Sequence, residues 1–202
     1  MAQIAVDVVL LPSDEVMDLA IEVNKQFLKD IENEIALDKK TCLPHVTLLM
    51  GVIEENQVRD VEKKLQEIAK RFSPLELSIP SVKVTDKPDG SRMSSFVIDK
   101  TAELARLHET AVTQLIPPFT YDKVTMDMFY SPPPANERTL RWVEDFATKS
   151  VHENYQPHIT LGMGVPEAVT FPIKFTASKL ALCHLGNYCT CRKILVSSGF
   201  GN

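Results

Sequence analysis

Two stretches of this chain nearly repeat each other: residues 43–52 are LPHVTLLMGV, and residues 156–165 are QPHITLGMGV. Seven of the ten aligned positions are identical, and one stretch lies in each half of the 202-residue chain. The repeat predicts a site that is built from two similar half-sites, with two histidines facing one another. The residues of its His-x-Thr motifs are His45 and Thr47 in the first copy and His158 and Thr160 in the second.

The motif stretches have the alternation of half-buried β-strands, in which side chains point to the two faces of the sheet in turn. In the first copy, Leu48 and Met50 would face the core, and Leu49 would be the one apolar residue on the other face. We therefore expect each strand to bury one face and to present its histidine and threonine from the other. In the second copy, the residues of the expected apolar face are Ile159, Leu161, Met163 and Val165.

Two imidazoles and two hydroxyls that meet in a cleft form an acid–base apparatus. Imidazole has an ordinary pKa near ~6.5, so it can give or take a proton close to neutral pH. One neutral histidine can deprotonate a water while a protonated one donates to the leaving oxygen, with a rate maximum near neutrality. The threonines can donate to phosphate oxygens and stabilise the charge that develops there. These residue types favour cleavage of a phosphodiester without a metal.

A packing role for the repeat is the main alternative at this level. A duplicated folding unit would explain why the apolar residues of the motif recur. It does not explain why a histidine and a threonine recur on the opposite face, so we favour the catalytic interpretation.

Helical and strand periodicities alternate along the chain. Four segments have helical spacing of apolar residues and begin near residues 14, 58, 104 and 136, the first extending to Ile31 and the last capped by Asn136. This order predicts an α+β fold with largely antiparallel sheets in two similar halves. The predicted strands are residues 4–11, 45–53, 75–79, 123–130, 158–165, 169–176, 179–185 and 190–198, with two more beside a turn at 86–90 and a tight hairpin turn at 186–187.

Composition limits the classes of partner. The formal net charge is −5, whereas a protein that grips extended nucleic acid needs a concentrated basic face. A nucleotide or an RNA 3′ end remains a possible substrate because a few local donors suffice to bind it. The size fits one domain over residues 1–202, or two closely packed lobes, and we expect a monomer. Residues 1–15 resemble neither a signal peptide nor a membrane span, so we expect a cytoplasmic protein without membrane contact.

In a chain of this size we do not expect the four cysteines to form a disulfide framework. The close pair Cys189 and Cys191 has no second Cys/His pair at zinc-site spacing. We therefore expect no metal and no cofactor.

The paired His-x-Thr motifs, their spacing and the chain length resemble the two-histidine phosphoesterase superfamily, the 2′-5′ RNA ligase and cyclic phosphodiesterase group. The resemblance covers essentially the whole chain. It implies a bilobal, pseudo-symmetric fold with helices outside, a cleft between the lobes and no metal. By position, it implies that His45 and His158 are catalytic and that Thr47 and Thr160 bind phosphate. It also implies hydrolysis of a cyclic phosphodiester, such as a 2′,3′-cyclic phosphate of a nucleotide or RNA terminus, or ADP-ribose 1″,2″-cyclic phosphate.

One position departs from the family pattern. Many RNA-end members carry an arginine five residues after the second motif histidine, where this chain has Met163. A cation from elsewhere could replace it. The unranked candidates are Arg92, Arg138, Arg141, Lys174 and Arg192.

Other residues of possible interest are given structural roles. An aromatic residue three positions before the second histidine is common in the family, and Tyr155 is therefore a possible substrate contact, although packing at the cleft rim is the stronger interpretation. The histidines outside the motifs and Trp142 are expected to be structural. Those histidines are His108, His152 and His184.

Three alternatives to hydrolysis of a cyclic phosphate stay open. The same histidines could support 2′-5′ RNA ligase or 2′-5′ phosphodiesterase activity. A nucleotide-binding module without turnover is a second alternative, although it would not need two proton-transfer groups. A metal held by the motif residues is the third, but two histidines with two threonines are a poor zinc set.

Overall fold

The computed structural model describes residues 2–28, 35–87 and 90–201. Within these ranges the fold is α+β and bilobal, as the sequence predicts. The strands are β1 (Gln3–Leu11), β2 (Val46–Glu54), β3 (Leu75–Ile79), β4 (Ser81–Asp86), β5 (Arg92–Val97), β6 (His158–Met163), β7 (Ile173–Ala177), β8 (Lys179–Leu185) and β9 (Cys191–Gly199). The helices are α1 (Asp14–Phe27), α2 (Val58–Ala69), α3 (Ala102–Leu115), α4 (Glu137–Glu144) and α5 (Phe146–Lys149).

The strands form three antiparallel sheets, and the two motifs belong to different ones. The sheet with the first motif has the order β2-β1-β8-β9, and the sheet with the second has the order β4-β5-β6. Strands β3 and β7 form a separate pair. Strands β8 and β9 from the end of the chain thus complete the sheet of the first motif, while β4 and β5 extend the sheet of the second. Each lobe draws strands from both halves of the sequence.

A buried amide ties the two lobes to helix α1. Asn24 is completely buried; its Nδ2 donates to the carbonyl of Leu161 at 2.7 Å and to that of Ile35 at 2.8 Å. Its Oδ1 accepts the backbone N–H of Leu37 at 2.8 Å. Leu161 belongs to the second motif strand, and Leu37 to the segment that leads into the first. One side chain therefore makes hydrogen bonds to three backbone groups in a buried site.

Most of the predicted elements are confirmed, and residues 123–130 are the main error. This segment is not a strand: it contains a single 3₁₀ turn at Met126–Met128, and Met126 is 48% exposed. Lys123 has a positive φ of 56°, which breaks an extended path. Strand β8 is already hydrogen-bonded to β1 on one side and to β9 on the other, so residues 123–130 have no open edge of β8 to pair with. Tyr130 reaches the end of β8, where its N–H donates to the carbonyl of Leu185 at 2.7 Å.

Smaller differences occur at the ends of elements. The seventh strand begins at Ile173 rather than at residue 169, and the expected tight hairpin turn at 186–187 is a longer loop with a 3₁₀ turn at Asn187–Cys189. Asn136 caps α4 as predicted, since its Oδ1 accepts the N–H of Thr139 at 2.9 Å. The predicted extension of the first helix to Ile31, and part of the turn at 86–90, lie outside the described residues.

The cysteines require a correction. Cys183 of β8 and Cys191 of β9 form a disulfide, with their Cα atoms 5.5 Å apart. The neighbouring-strand geometry brings the two together because Cys191 pairs with Leu185, two residues after Cys183. By sequence spacing, the close partner of Cys191 is Cys189. In the structure Cys189 is a free thiol, and so is Cys42. One disulfide is present where none was expected, although it does not make a framework.

Loss of the Asn24 amide should destabilise the fold strongly. In Asn24→Ala, two carbonyls and one N–H lose their partner in a buried site, so the free energy of unfolding should fall by about 2–4 kcal/mol. Urea unfolding followed by circular dichroism measures this. The control is Glu22→Ala, an exposed position on the same helix, which should change stability by less than ~0.5 kcal/mol. Equal stability of the two variants would contradict the bridging role of Asn24.

Candidate active site

The two motif strands share an irregularity directly after the threonine. Pairing of β1 with β2 passes from Val9↔Thr47 to Val8↔Leu49 and skips Leu48. Pairing of β5 with β6 passes from Ser95↔Thr160 to Ser94↔Gly162 and skips Leu161. Both skipped leucines are completely buried. Each motif strand therefore contains one extra residue at the same place.

This register shift overturns part of the predicted alternation, because an extra residue moves all later side chains to the other face. Leu49 is completely buried rather than on the polar face. Met50, expected in the core, lines the cleft instead. Met163 is half-buried, and Val165 is 43% exposed rather than part of the core.

All four motif residues open onto one cleft of about 840 Å³ between the lobes. This volume lies within the range that encloses a small organic ligand such as a nucleotide. The remaining walls mix apolar, aromatic and cationic groups. Among them are Met93 of β5, Trp142 of α4, Tyr155, Tyr188 and four lysines, namely Lys83, Lys87, Lys100 and Lys149.

The two histidine rings are held in the same way. His45 Nδ1 lies 2.7 Å from the carbonyl oxygen of Leu43, and His158 Nδ1 lies 2.8 Å from that of Gln156. A carbonyl only accepts, so each Nδ1 carries a hydrogen and each Nε2 is left for proton transfer. In both cases the carbonyl belongs to the residue two positions earlier, across the motif proline.

The backbone beside each histidine is itself anchored. The N–H of Leu43 donates to the carbonyl of Cys191 at 3.0 Å, and the carbonyl of Pro157 accepts the N–H of Ile98 at 3.0 Å. Each ring is therefore fixed to a strand that is bound to another part of the chain. This rigidity suits groups that must exchange protons at a defined place.

Both histidines favour the neutral form in the free protein. Burial lowers the pKa of His45 to about 4, and the nearby charge of His158 acts in the same direction. Desolvation within the cleft also lowers the pKa of His158, although this side chain is open to the cleft. The positive charges of Lys83 and Lys87 lower this pKa further.

The first half-site contains an acid that the sequence analysis missed. Asp7 lies in the middle of β1 and is completely buried. Its Oδ2 is 2.6 Å from Thr47 Oγ1 and 3.6 Å from His45 Nε2. Burial raises the pKa of Asp7 well above its ordinary value, more than the hydrogen bond with Thr47 lowers it. The available signal was a single carboxyl inside the apolar run 4–11.

The cations that line the cleft are lysines other than the candidates proposed from sequence. Lys100 Nζ donates to the carbonyl of His152 at 3.0 Å, and Lys149 Nζ lies 2.7 Å from Asp145 Oδ2. Lys83 and Lys87 act on His158 through their charge. None of the sequence candidates lines the cleft among the described residues; they were Arg92, Arg138, Arg141, Lys174 and Arg192.

Tyr155 lies in the cleft wall but is only 4% exposed. Its ring stacks on that of His108 with 3.8 Å between centroids, so one ring face is occupied. His108 is buried and structural: its Nδ1 donates to the carbonyl of Leu48 at 2.9 Å, and its Nε2 accepts the N–H of His152 at 3.1 Å. The contact to Leu48 supports the first motif strand at its irregular residue.

The two other histidines outside the motifs do not line the cleft. His152 is exposed and lies 2.8 Å from Glu109 Oε2. His184 Nε2 lies 3.0 Å from the carbonyl of Met128. Trp142, expected to be a packing residue, is half-buried and borders the cleft.

The part of the chain that the structure describes contains neither a metal cluster nor a membrane-spanning helix. No group of three or more His, Cys, Asp or Glu side chains there is placed to hold a metal ion. No described helix is long and apolar enough to cross a membrane.

Comparison with known families agrees with this arrangement. The model of the 2′-5′ RNA ligase superfamily matches residues 36–187, which include both motifs. The chain belongs to the 2′-5′ RNA ligase superfamily. No curated protein sequence matches it.

Solved structures of other proteins have a similar fold. The structure of TT0787 from Thermus thermophilus is 14% identical, with a TM-score of 0.59 over 98% of each chain. Escherichia coli LigT complexed with NADP+ is 14% identical, with a TM-score of 0.58 over 100% of each chain. LigT complexed with 3′-AMP has a TM-score of 0.51 at the same identity and coverage. At this identity the likeness shows the shared fold alone.

The lowered pKa values of the motif histidines can be measured directly. In a ¹H–¹³C NMR titration of the free protein, His45 should titrate near pH 4, and His158 should titrate below ~6.5. Burial disfavours the imidazolium in both cases. Assignment by His45→Gln and His158→Gln identifies the signals. An ordinary or raised midpoint for His45 would contradict the described environment.

Proposed function

We propose that this protein hydrolyses a cyclic phosphodiester, with His45 and His158 as a paired acid and base and without a metal. The substrate class is a 2′,3′-cyclic phosphate of a nucleotide or RNA terminus, or ADP-ribose 1″,2″-cyclic phosphate. One observation carries the proposal: two imidazoles line one cleft, and a carbonyl fixes each Nδ1 as the protonated nitrogen, leaving Nε2 for catalysis. Membership of the superfamily supports the same reaction class.

The reaction would use one proton on the histidine pair. The neutral Nε2 of one histidine takes a proton from a water molecule, whose oxygen forms a bond to phosphorus. The ring P–O bond breaks, and the other histidine, protonated on Nε2, donates to the leaving oxygen. A phosphomonoester is formed, and the pair has exchanged roles. Each proton transfer of this kind contributes about 10²–10⁴-fold to the rate.

The phosphate would be held by hydroxyls and a lysine. Thr47 and Thr160 lie two residues after the histidines on the same strands and can donate to the non-bridging oxygens. Lys83 lies on β4 opposite Ser95, which pairs in turn with Thr160. Its charge acts on His158, which supports a contact between Lys83 and the same phosphate. Lys83 would then supply the cation for which the family pattern uses an arginine at the position of Met163.

An aromatic ring at the cleft favours a substrate with a nucleobase. Trp142 borders the cleft, and Lys87 Nζ lies 5.5 Å from the centre of its ring. Lys87 also acts through its charge on His158, which lines the same cleft as Trp142. An indole can stack on a base, which would orient the ribose phosphate toward the histidines. Tyr155 contributes less, since His108 already occupies one face of its ring.

The same apparatus could act on a 2′-5′ phosphodiester. The superfamily name favours this as the second candidate activity, either as cleavage or as the reverse ligation. The proton transfers would be the same, with a nucleoside hydroxyl in place of water for ligation.

Each motif histidine should be required for turnover. With EDTA present, wild type should open at least one of 2′,3′-cyclic AMP, an RNA oligomer ending in 2′,3′-cyclic phosphate and ADP-ribose 1″,2″-cyclic phosphate, as followed by ³¹P NMR. His45→Ala and His158→Ala should each lose about 10³-fold or more in kcat, and the double variant should be little worse because the residues act as a unit.

The matched control for these variants is His152→Ala, an exposed histidine outside the cleft that should keep wild-type turnover. A 2′-5′ linked dinucleotide in the same panel tests the second candidate activity. Binding of these compounds without any product, by folded wild-type protein, would contradict the hydrolase proposal and favour a binding module.

The pH optimum of kcat/KM should lie on the acid side of neutrality. The active form holds one proton on the histidine pair, and this form is most populated between the two histidine pKa values, which burial lowers. Above the higher value, kcat/KM should fall about tenfold per pH unit as the acid loses its proton. Initial rates from pH 4 to pH 9 measure this. A maximum above pH 7 would contradict it and would restore the neutral optimum expected from sequence.

A further inference from the structure

Asp7 is a buried acid whose hydrogen bonds are incomplete. It lies in β1 between β2 and β8 and is completely shielded from solvent. Oδ2 is bonded to Thr47 Oγ1 at 2.6 Å, while Oδ1 is buried and has no hydrogen-bond partner among the described residues. An ionised carboxylate in such a place would lose its hydration with only one neutral hydroxyl in return, which strongly disfavours the charge.

The described groups that face Asp7 supply no stable positive charge. His45, which precedes β2, is the nearest titratable group, and burial keeps it neutral at neutral pH. Tyr155 and Cys189 lie close enough for a negative charge on Asp7 to raise their pKa values. Cys183, the strand partner of Asp7 on β8, is in the disulfide and does not titrate. None of these groups would hold the carboxylate as an ion pair.

An ionised Asp7 and a bound phosphate would compete for the hydroxyl hydrogen of Thr47. A threonine hydroxyl has one hydrogen to donate. If Asp7 is ionised it can only accept, so Thr47 must give that hydrogen to Asp7 and has none for a phosphate. If Asp7 is protonated on Oδ2, it donates to Thr47 Oγ1, and the hydrogen of Thr47 is free to bind a phosphate oxygen. A carboxylate at this distance would also repel the anion.

The strand position that holds Asp7 in the first half-site holds no acid in the second. Asp7 pairs with Met50 across the sheet of the first motif. In the sheet of the second motif the corresponding pair is Met93 with Met163, so Met93 takes the position of Asp7. The pseudo-symmetry of the motifs is therefore broken at this position.

We propose that Asp7 is a positioning residue that acts as a neutral carboxylic acid: it donates to Thr47, fixes that hydroxyl as a phosphate donor, and closes the half-site to phosphate when it ionises. The inference rests on the proposed phosphate-binding role of Thr47. Its own test, however, includes a measurement that needs neither ligand nor turnover.

The protonation of Asp7 can be observed by ¹³C NMR of protein labelled at the aspartate side-chain carboxyls, with Asp7→Asn to assign the signal. The Asp7 carboxyl should keep the chemical shift of a protonated acid at pH values well above the ordinary aspartate pKa. A titration midpoint at or below the ordinary value near ~3.9 would overturn the inference, whatever the enzyme does. A neutral Asp7 in a protein that opens no cyclic phosphate would instead leave the inference standing and reject the proposed function.

The role toward Thr47 is tested by Asp7→Asn and Asp7→Val, with adenosine 2′- and 3′-monophosphate as probes in calorimetric titrations. The amide of Asn can donate to Thr47 as a neutral acid does, so Asp7→Asn should bind within about threefold of wild type at pH 6. Asp7→Val removes the donor and should bind at least tenfold more weakly. As pH rises, affinity of wild type should fall relative to Asp7→Asn, because only wild type can ionise here.

Glu109→Gln is the matched control, since Glu109 is a half-exposed carboxyl beside a histidine outside the cleft. It should leave binding and its pH dependence unchanged. Asp7→Asn binding as weakly as Asp7→Val, in folded protein, would overturn the inference and assign an ionised Asp7 to the site. Should Asp7→Val fail to fold, a constant affinity ratio between Asp7→Asn and wild type across pH would still overturn it.

The pH dependence of the free energy of unfolding, compared between wild type and Asp7→Asn, is a third test. The folded state keeps the Asp7 proton at pH values where the unfolded chain has lost it, so wild-type stability should fall as pH rises above the ordinary aspartate pKa. Asp7→Asn should not show this contribution. An advantage of wild type over Asp7→Asn that increases with pH would overturn the inference.

Discussion

The one-residue register shift after each threonine is the constraint on which the cleft depends. It buries Leu49 beside Leu48 in the first motif strand and turns Met50 to the cleft, while the histidine and threonine that precede the shift stay on the open face. Without it, strict alternation would place Met50 in the core and leave Leu49 in the cleft. The same irregularity in both motif strands keeps the two half-sites alike, although their sheets differ in strand number and order.

The symmetry of the motifs does not extend to their surroundings. The histidine rings are held by equivalent carbonyls, yet the first half-site faces the buried acid Asp7 and the second faces Lys83 and Lys87. Two imidazoles in unlike environments can take different roles in one reaction. Asp7 belongs to strand β1, Lys83 belongs to β4, and Lys87 is the residue that follows β4. All three lie outside the repeated sequence.

Sequence alone predicts the fold class, most element positions and the motif residues, because each is recorded in local periodicity or in the repeat. It fails where the outcome depends on a distant strand. Residues 123–130 alternate like a strand, but the edge they would need is already paired. The disulfide of Cys183 and Cys191 depends on the pairing of β8 with β9. Lys83 becomes a cleft residue only because β4 joins the sheet of the second motif.

The most direct test of paired-histidine hydrolysis is the source of the oxygen in the product. Wild type would be incubated with the cyclic phosphate that it opens, in H₂¹⁸O with EDTA, and the ¹⁸O shift of the product would be read by ³¹P NMR. Attack by activated water predicts one ¹⁸O per phosphomonoester and no product with the His45→Ala/His158→Ala double variant. An equal rate with that variant, or product without ¹⁸O, would contradict catalysis by this pair.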